Sequence, residues 1–194
     1  ENGTVIISFG QMDAMIIDKG GVKTISSATT LNATPSVTNN GTLNIDLSGA
    51  EAPADKLATI RYLAGTESDA VVNTGNDSDV VITLLNETSG DPGKPGNTAY
   101  AGSIQGAARL VKDGAQKLTI DGKVTASLLD VQQGGLVLQG SSSIISGNLH
   151  VEDGATLTLN SAALAARDLT GTGTISLAGG ALLSIAYDTL TSLD

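Results

Sequence analysis

Short runs of alternating apolar and polar residues recur along the chain. They are Thr42-Leu43-Asn44-Ile45-Asp46-Leu47, Lys117-Leu118-Thr119-Ile120, Leu136-Val137-Leu138, Leu149-His150-Val151, Thr156-Leu157-Thr158-Leu159, Thr174-Ile175-Ser176-Leu177 and Leu182-Leu183-Ser184-Ile185. Successive side chains of a strand point to opposite faces, so each run predicts a strand with one buried and one solvated face. Gly, Asn or Asp bounds nearly every run, and these residues make tight turns at low cost. Helix spacing fits only two stretches, Ala54 to Leu63 and Ser161 to Asp168, neither longer than about three turns. The pattern predicts an all-β chain.

The runs also have a period. Leu118, Leu136, Leu157 and Ile175 begin equivalent strands at intervals of 18, 21 and 18 residues, with secondary apolar positions between them at Leu128-Leu129, Ile144-Ile145 with Leu149, and Leu164 with Leu169. The turn Asp113-Gly114-Ala115 returns as Asp153-Gly154-Ala155, and Gly134-Gly135, Gly171-Thr172-Gly173 and Gly179-Gly180 mark other corners. A period of this size, with two or three short strands in each unit, predicts a right-handed parallel β-helix, or β-solenoid. A sandwich or barrel is the competing all-β architecture, and the stacked glycine corners favour the solenoid. Thr119, Val137, His150, Thr158 and Ser176 then fall on the outside.

Composition agrees with a narrow aliphatic stack. The 194 residues include 24 Gly, 40 Ser plus Thr and only four aromatic residues, Phe9, Tyr62, Tyr100 and Tyr187. The absence of Cys excludes disulfides and thiolate metal sites. A net charge of −10 argues against a nucleic-acid partner, which needs a basic surface. No apolar run approaches the roughly 18 to 20 residues of a membrane span. The opening Glu-Asn-Gly-Thr has no basic start or apolar stretch of the signal-peptide kind.

The stretch Asn97-Thr98-Ala99-Tyr100-Ala101-Gly102-Ser103-Ile104 is followed by Leu110-Val111-Lys112-Asp113-Gly114-Ala115-Gln116-Lys117-Leu118-Thr119-Ile120-Asp121-Gly122 and then by Gly134-Gly135-Leu136-Val137-Leu138. Over Asn97 to Gly140 this resembles the autotransporter-associated β-strand repeat of bacterial autotransporter passenger regions. That repeat runs aromatic-x-Gly-x-Ile, Leu-x-Lys-x-Gly-x-Gly-x-Leu-x-Leu-x-Gly, then Gly-x-Leu. Weaker echoes follow at Gly154 to Leu159 and Gly173 to Leu177. The second Gly of the Gly-x-Gly is Gln116 here, or Lys117 if the register slides by one, and Lys123 to Ser127 replaces the usual Asn-x-Tyr-x-Gly-Gly-Thr.

The N-terminal half is less regular. Val5 to Phe9, Ala14 to Ile17, Thr42 to Leu47, Thr59 to Leu63, Ala70 to Val72 and Val80 to Leu85 read as strands, with an irregular insertion at Glu51 to Lys56. The loop from Thr88 to Asn97, with two prolines and three glycines, is the best boundary. It divides residues 1–96, read as degenerate solenoid turns or a small N-terminal β cap, from the repeat region at 97–194.

Candidate chemistry is sparse. Gly75-Asn76-Asp77-Ser78-Asp79 has the alternating oxygens of a calcium loop but lacks the successive glycine repeats or the later Gly and Glu such loops need, so it reads as a polar turn. Asp113, Asp121, Asp130, Glu152 and Asp153 offer carboxylates for a glycosidase pair, yet turn positions are where Asp ordinarily serves local hydrogen bonds. His150 falls on the outer face; a nucleophile–base pair with Ser146 or Ser176 can be drawn, but no Gly-x-Ser-x-Gly elbow is present and it reads as an exposed strand histidine. Arg109, Lys112, Lys117 and Lys123 form a local basic group that reads either as an anion patch or as solvated strand edges. No residue is assigned a catalytic, cofactor-binding or metal-binding role.

The resemblance implies a non-catalytic passenger fragment of a secreted or surface-displayed bacterial protein, acting as stalk, scaffold or adhesin at the outer membrane. Host glycans or surface proteins are the expected partners, with self-association through the terminal rungs and no membrane insertion by this segment. The alternatives are a carbohydrate-active β-helix enzyme, of polysaccharide lyase or glycoside hydrolase type, and a homo-oligomeric fibre or shell component.

Overall fold

The computed structural model describes residues 14–32, 36–87 and 96–186. They form a parallel β-solenoid of about 8 turns, 56% strand and 6% helix. Rung 1 holds β1 (Met15–Ile17), β2 (Val22–Ile25) and a short helix α1 (Ala28–Asn32); rung 2 holds β3 (Val37–Asn39), β4 (Thr42–Ile45) and β5 (Leu57–Arg61). Rung 3 holds β6 (Leu63–Ala64), β7 (Val71–Asn73) and β8 (Val81–Leu85), and rung 4 holds β9 (Thr98–Tyr100), β10 (Ser103–Gln105) and β11 (Arg109–Asp113). Rung 5 holds β12 (Lys117–Ile120), β13 (Thr125–Ala126) and β14 (Leu128–Val131). In rungs 6 to 8 two strands suffice: β15 (Gly135–Gln139) and β16 (Ser142–Val151), β17 (Thr156–Asn160) and β18 (Ala163–Gly171), then β19 (Thr174–Ala178) and β20 (Leu182–Ile185).

Stacking these rungs makes three sheet faces. The first runs β1-β3-β6, continues through a bridge from Gly65 to Tyr100, and proceeds through β9-β12-β15-β17-β19. The second runs β2-β4-β7-β10 and reaches β13 and β16 through a bridge from Ile104 to Val124. The third runs β5-β8-β11-β14-β16-β18. In β16 and β18 the second and third faces join in single long strands, with a register shift between Ile145 and Asn148 where the strand bends. All these pairings are parallel, and Leu118, Leu136, Leu157 and Ile175 stand in register as their spacing predicts.

Alternation fills the interior. β17 buries Leu157 and Leu159 and turns Thr156, Thr158 and Asn160 outward. The third face stacks Ile82, Leu110, Leu129 and Leu149 in one buried column. Each such aliphatic side chain, once covered, contributes about 1.5–3 kcal/mol. A rung alone cannot cover its own apolar edge, so stability accumulates by stacking. Some of the repeated glycines, Gly114, Gly134 and Gly171 among them, hold corners where rungs come close. Gly114 has φ +83, and a Cβ there would lie 2.2 Å from the Asn86 carbonyl oxygen one rung away; no other residue fits.

Several local expectations change. The Ala54 to Leu63 stretch is a 3-10 turn, Pro53–Lys56, followed by β5. The strand drawn through Leu63 breaks at Tyr62, whose φ of 49 turns the corner into β6. Ser161 to Asp168 gives β18, because its Ala and Leu residues alternate between inside and outside: Leu164 and Ala166 are buried. The strands β2 and β3 and the helix α1 are additions, and Val5 to Phe9 lies outside the described residues. α1 stands on β5 in place of a third-face strand. Its Asn32 accepts from the Thr59 N–H (2.7 Å) and donates to the Leu57 carbonyl (3.2 Å), so one side-chain amide pairs the sheet edge.

Candidate functional site

Two outward features gather polar side chains. The first lies where the second face turns into the third in rungs 1 to 3. Here the chain makes excursions, residues 46–56 after β4 and 74–80 after β7, and these wall a groove of about 900 Å³ lined by Thr24, Asn44, Asp46, Ser48, Asn73 and Asp77. A second hollow of about 590 Å³ adjoins it, sharing Asp46 and Ser48 and adding Ser26, Ser27, Thr29 and Asp55. The floor is a ladder of outward side chains in register: Asn73 Nδ2 donates to Asn44 Oδ1 (3.3 Å), and Asn44 Nδ2 points to Thr24 Oγ1 at a long 3.5 Å. Asp46 Oδ1 accepts from both the N–H and the hydroxyl of Ser48, at 3.2 and 2.6 Å, which pulls its carboxyl below the usual range, the hydroxyl contributing most. The Lys56 ammonium bonds Asp77 Oδ2 at 2.7 Å, ties the two excursions together and lowers the Asp77 carboxyl in the same way. Asp77 Oδ1 accepts from the Asp79 N–H (2.9 Å). The Gly75 to Asp79 turn is thus the polar turn its sequence predicts, with its central carboxylate committed to an ammonium ion.

The second feature lies on the outside of the third face. His150 Nδ1 is 2.7 Å from Thr170 Oγ1 and Nε2 is 3.2 Å from Glu152 Oε1. Asn148 Nδ2 donates to the same threonine oxygen (2.8 Å). With a neutral ring, this fits a Thr170 hydroxyl donating to Nδ1 and an Nε2–H donating to Glu152. Neither serine that could be drawn to His150 pairs with it: Ser146 Oγ donates to the Ala126 carbonyl (3.4 Å), and Ser176 belongs to β19 on the first face. Asp130 stands beside His150 in register. Its Oδ2 accepts from Gln132, while its Oδ1 and Asn148 Oδ1 are buried without a hydrogen-bond partner. An acyl-transfer site needs donors for a developing oxyanion; the carboxylates of Asp130 and Glu152 repel one.

The basic residues do not form a patch. Arg109 points outward from the third face and Lys117 from the first, Lys123 sits before β13 at another corner, and Lys112 is inside. Lys112 is 0% exposed and replaces an aliphatic residue between Leu84 and Val131 in the third-face column. Its ammonium donates to the carbonyls of Asp113 (2.9 Å), Gly114 (2.8 Å) and Gln133 (3.1 Å), one for each N–H. Burial pushes its pKa down to about 8. Alternation from Leu110 was the signal that places it inward, and a surface reading overlooked it.

Tyr100 is buried as well. Its hydroxyl accepts from Asn39 Nδ2 (2.9 Å), and the same amide donates to the Val71 carbonyl (3.0 Å). Burial pushes the phenol pKa upward. A Cβ on Gly102 would lie 2.3 Å from the Ala70 carbonyl oxygen and 2.6 Å from this hydroxyl, so the backbone of the neighbouring rung and the phenol both require glycine there.

The remaining carboxylates do not converge. Asp113 Oδ1 accepts from the Gly114 N–H (2.6 Å), Asp121 follows β12 at the corner with the second face, and Asp153 is an exposed turn residue. Among the described residues, no group of three or more His, Asp or Glu side chains is placed to hold a metal ion, and no helix is long and apolar enough to cross a membrane. Compared with known proteins, the chain matches no family model, no curated protein and no solved structure.

Proposed function

We propose that this chain is a rigid solenoid spacer, part of a secreted or surface-displayed bacterial protein of the autotransporter passenger kind, and that it acts through shape and stiffness. The observation that carries this is the stacking of the three faces from Met15 to Ile185, in which most inward side chains serve the stack. The motif resemblance supports it residue by residue: Tyr100, Ile104, Leu110, Lys112, Leu118 and Ile120 are all buried interior positions. At about 4.8 Å per rung, the described turns span roughly 38 Å. Stacking needs no cofactor, and an acidic surface keeps such rods apart in solution.

The test is to locate the full-length product in its source cells by surface labelling and protease shaving, and to incubate the purified chain with a polysaccharide panel. Surface exposure with no release of new chain ends is expected. A cytoplasmic product, or cleavage of any polysaccharide, overturns the proposal.

A further inference from the structure

The groove beside the second face takes no part in the stacking, and its wall has one consistent chemistry. We propose that it binds a neutral oligosaccharide. Each primary amide has two N–H donors and two acceptor lone pairs. Asn44 spends one acceptor on Asn73 and one donor on the long contact to Thr24, so one of each remains to meet a ligand. Asn73 likewise keeps a second N–H after donating to Asn44 and accepting from the Gly75 N–H (3.2 Å). Beside this ladder is Asp46, exposed and held ionised by Ser48 through Oδ1, with Oδ2 unpartnered among the described residues. Amides that both give and accept, next to a carboxylate that only accepts, match vicinal hydroxyls, each of which can do either.

Other ligand classes fit less well. The wall carries Asp46, Asp55 and Asp77 and no Lys or Arg, and the Lys56 ammonium behind it is held by Asp77; phosphates, uronates and sulfated chains are repelled. The one large apolar residue of the groove, Ile45, is only 1% exposed, so no platform is offered to a lipid or aromatic molecule. The groove crosses rungs 1 to 3, giving an elongated site that suits a chain of sugars. This inference does not depend on surface display: a spacer with an empty corner is still a spacer, and sugar binding alone does not establish display.

Titration of the purified chain with short neutral hexose and N-acetylhexosamine oligosaccharides, beside their uronate and sulfated counterparts, tests it by NMR shift mapping and calorimetry. Saturable binding of a neutral member is expected, with shifts confined to the groove. The anionic counterpart should bind at least about 10-fold more weakly, and Asp46→Asn and Asn73→Ala should each weaken binding about 10-fold, the loss of one charge-assisted acceptor or of one N–H donor. Asp130→Asn, on the third face, should leave it unchanged. Thermal melts establish that each variant is folded, and Asp46→Asn alone decides if Asn73→Ala unfolds. No saturable binding up to millimolar sugar, binding that survives Asp46→Asn, or preference for anionic sugars or a Lys/Arg-rich peptide overturns the proposal.

Discussion

The first three rungs and the last four solve the same stacking problem by different means. On the first face, Val37 follows its register partner Met15 by 22 residues, Leu63 follows Val37 by 26 and Tyr100 follows Gly65 by 35. From Leu118 onward the steps are 18, 21 and 18. Among the described residues, five of the six buried polar side chains, Asn39, Thr74, Asn86, Thr98 and Lys112, lie in or against the long rungs, and only Ser143 lies beyond. Where the chain leaves the stack to make an excursion, backbone groups lose their neighbours. Buried polar side chains then supply the missing donors and acceptors. The short rungs leave fewer such gaps: Ser143 Oγ accepts from the buried Val124 N–H (3.0 Å), and aliphatic residues fill most of the rest.

The sharpest way to break this contrast is the corner that occurs twice. Asp113-Gly114-Ala115 abuts Asn86, at the end of the longest rung, whereas Gly154 in Asp153-Gly154-Ala155 has φ +77 but nothing within 4 Å of its ideal Cβ. Gly114→Ala should therefore cost at least about 3 kcal/mol, from collision and strain together, and Gly154→Ala only about 1–2 kcal/mol of left-handed strain. Urea midpoints measure both, and equal losses would mean that rung length does not set corner packing.

Next in size is Lys112→Met, which keeps the volume and removes three donors. A loss of about 3 kcal/mol is expected at pH 7. The lysine also gives a pH signature. Its folded pKa of about 8 lies below the ordinary 10.5, so between these values the unfolded chain binds the extra proton and stability rises with pH. The rise approaches about 3 kcal/mol over the full window, read as wild type minus Lys112→Met by urea unfolding from pH 7 to 10. A flat difference would place the ammonium in water.

Smaller effects sharpen the comparison at the edges. Asn32→Ala should cost about 1 kcal/mol and raise concentration-dependent association in sedimentation, because the β5 edge opens. His150→Ala, on the outside of the short rungs, should change stability by no more than about 0.5 kcal/mol; a larger shift in the melt would give the Thr170–His150–Glu152 contacts a structural role.

The short rungs were legible because alternation and period agree there, and Leu118, Leu136, Leu157 and Ile175 define the register before any coordinates. The long rungs were not. Val22–Ile25 and Val37–Asn39 are too short and too irregularly spaced to show a period, and α1 forms because Asn32 and the packing on β5 hold it, not because five residues make a stable helix. Tyr62 hides a corner inside an apparent strand. The groove was invisible for a different reason: Thr24, Asn44 and Asn73 are 20 and 29 residues apart, and only the stack brings them together. Lys112 shows the reverse error, since its charge suggested surface while the alternation from Leu110 pointed inward.

The parallel ladders have a mechanical consequence. Hydrogen bonds between rungs run along the rod axis, so tension applied between its ends loads them in series, and the weakest rung yields first. Each rung of about 20 residues then releases roughly 65–70 Å of extended chain before the next is loaded. A rod that resists bending would pay out under a steady pull as a staircase of small ruptures, absorbing work where a sheet loaded in shear would snap at once.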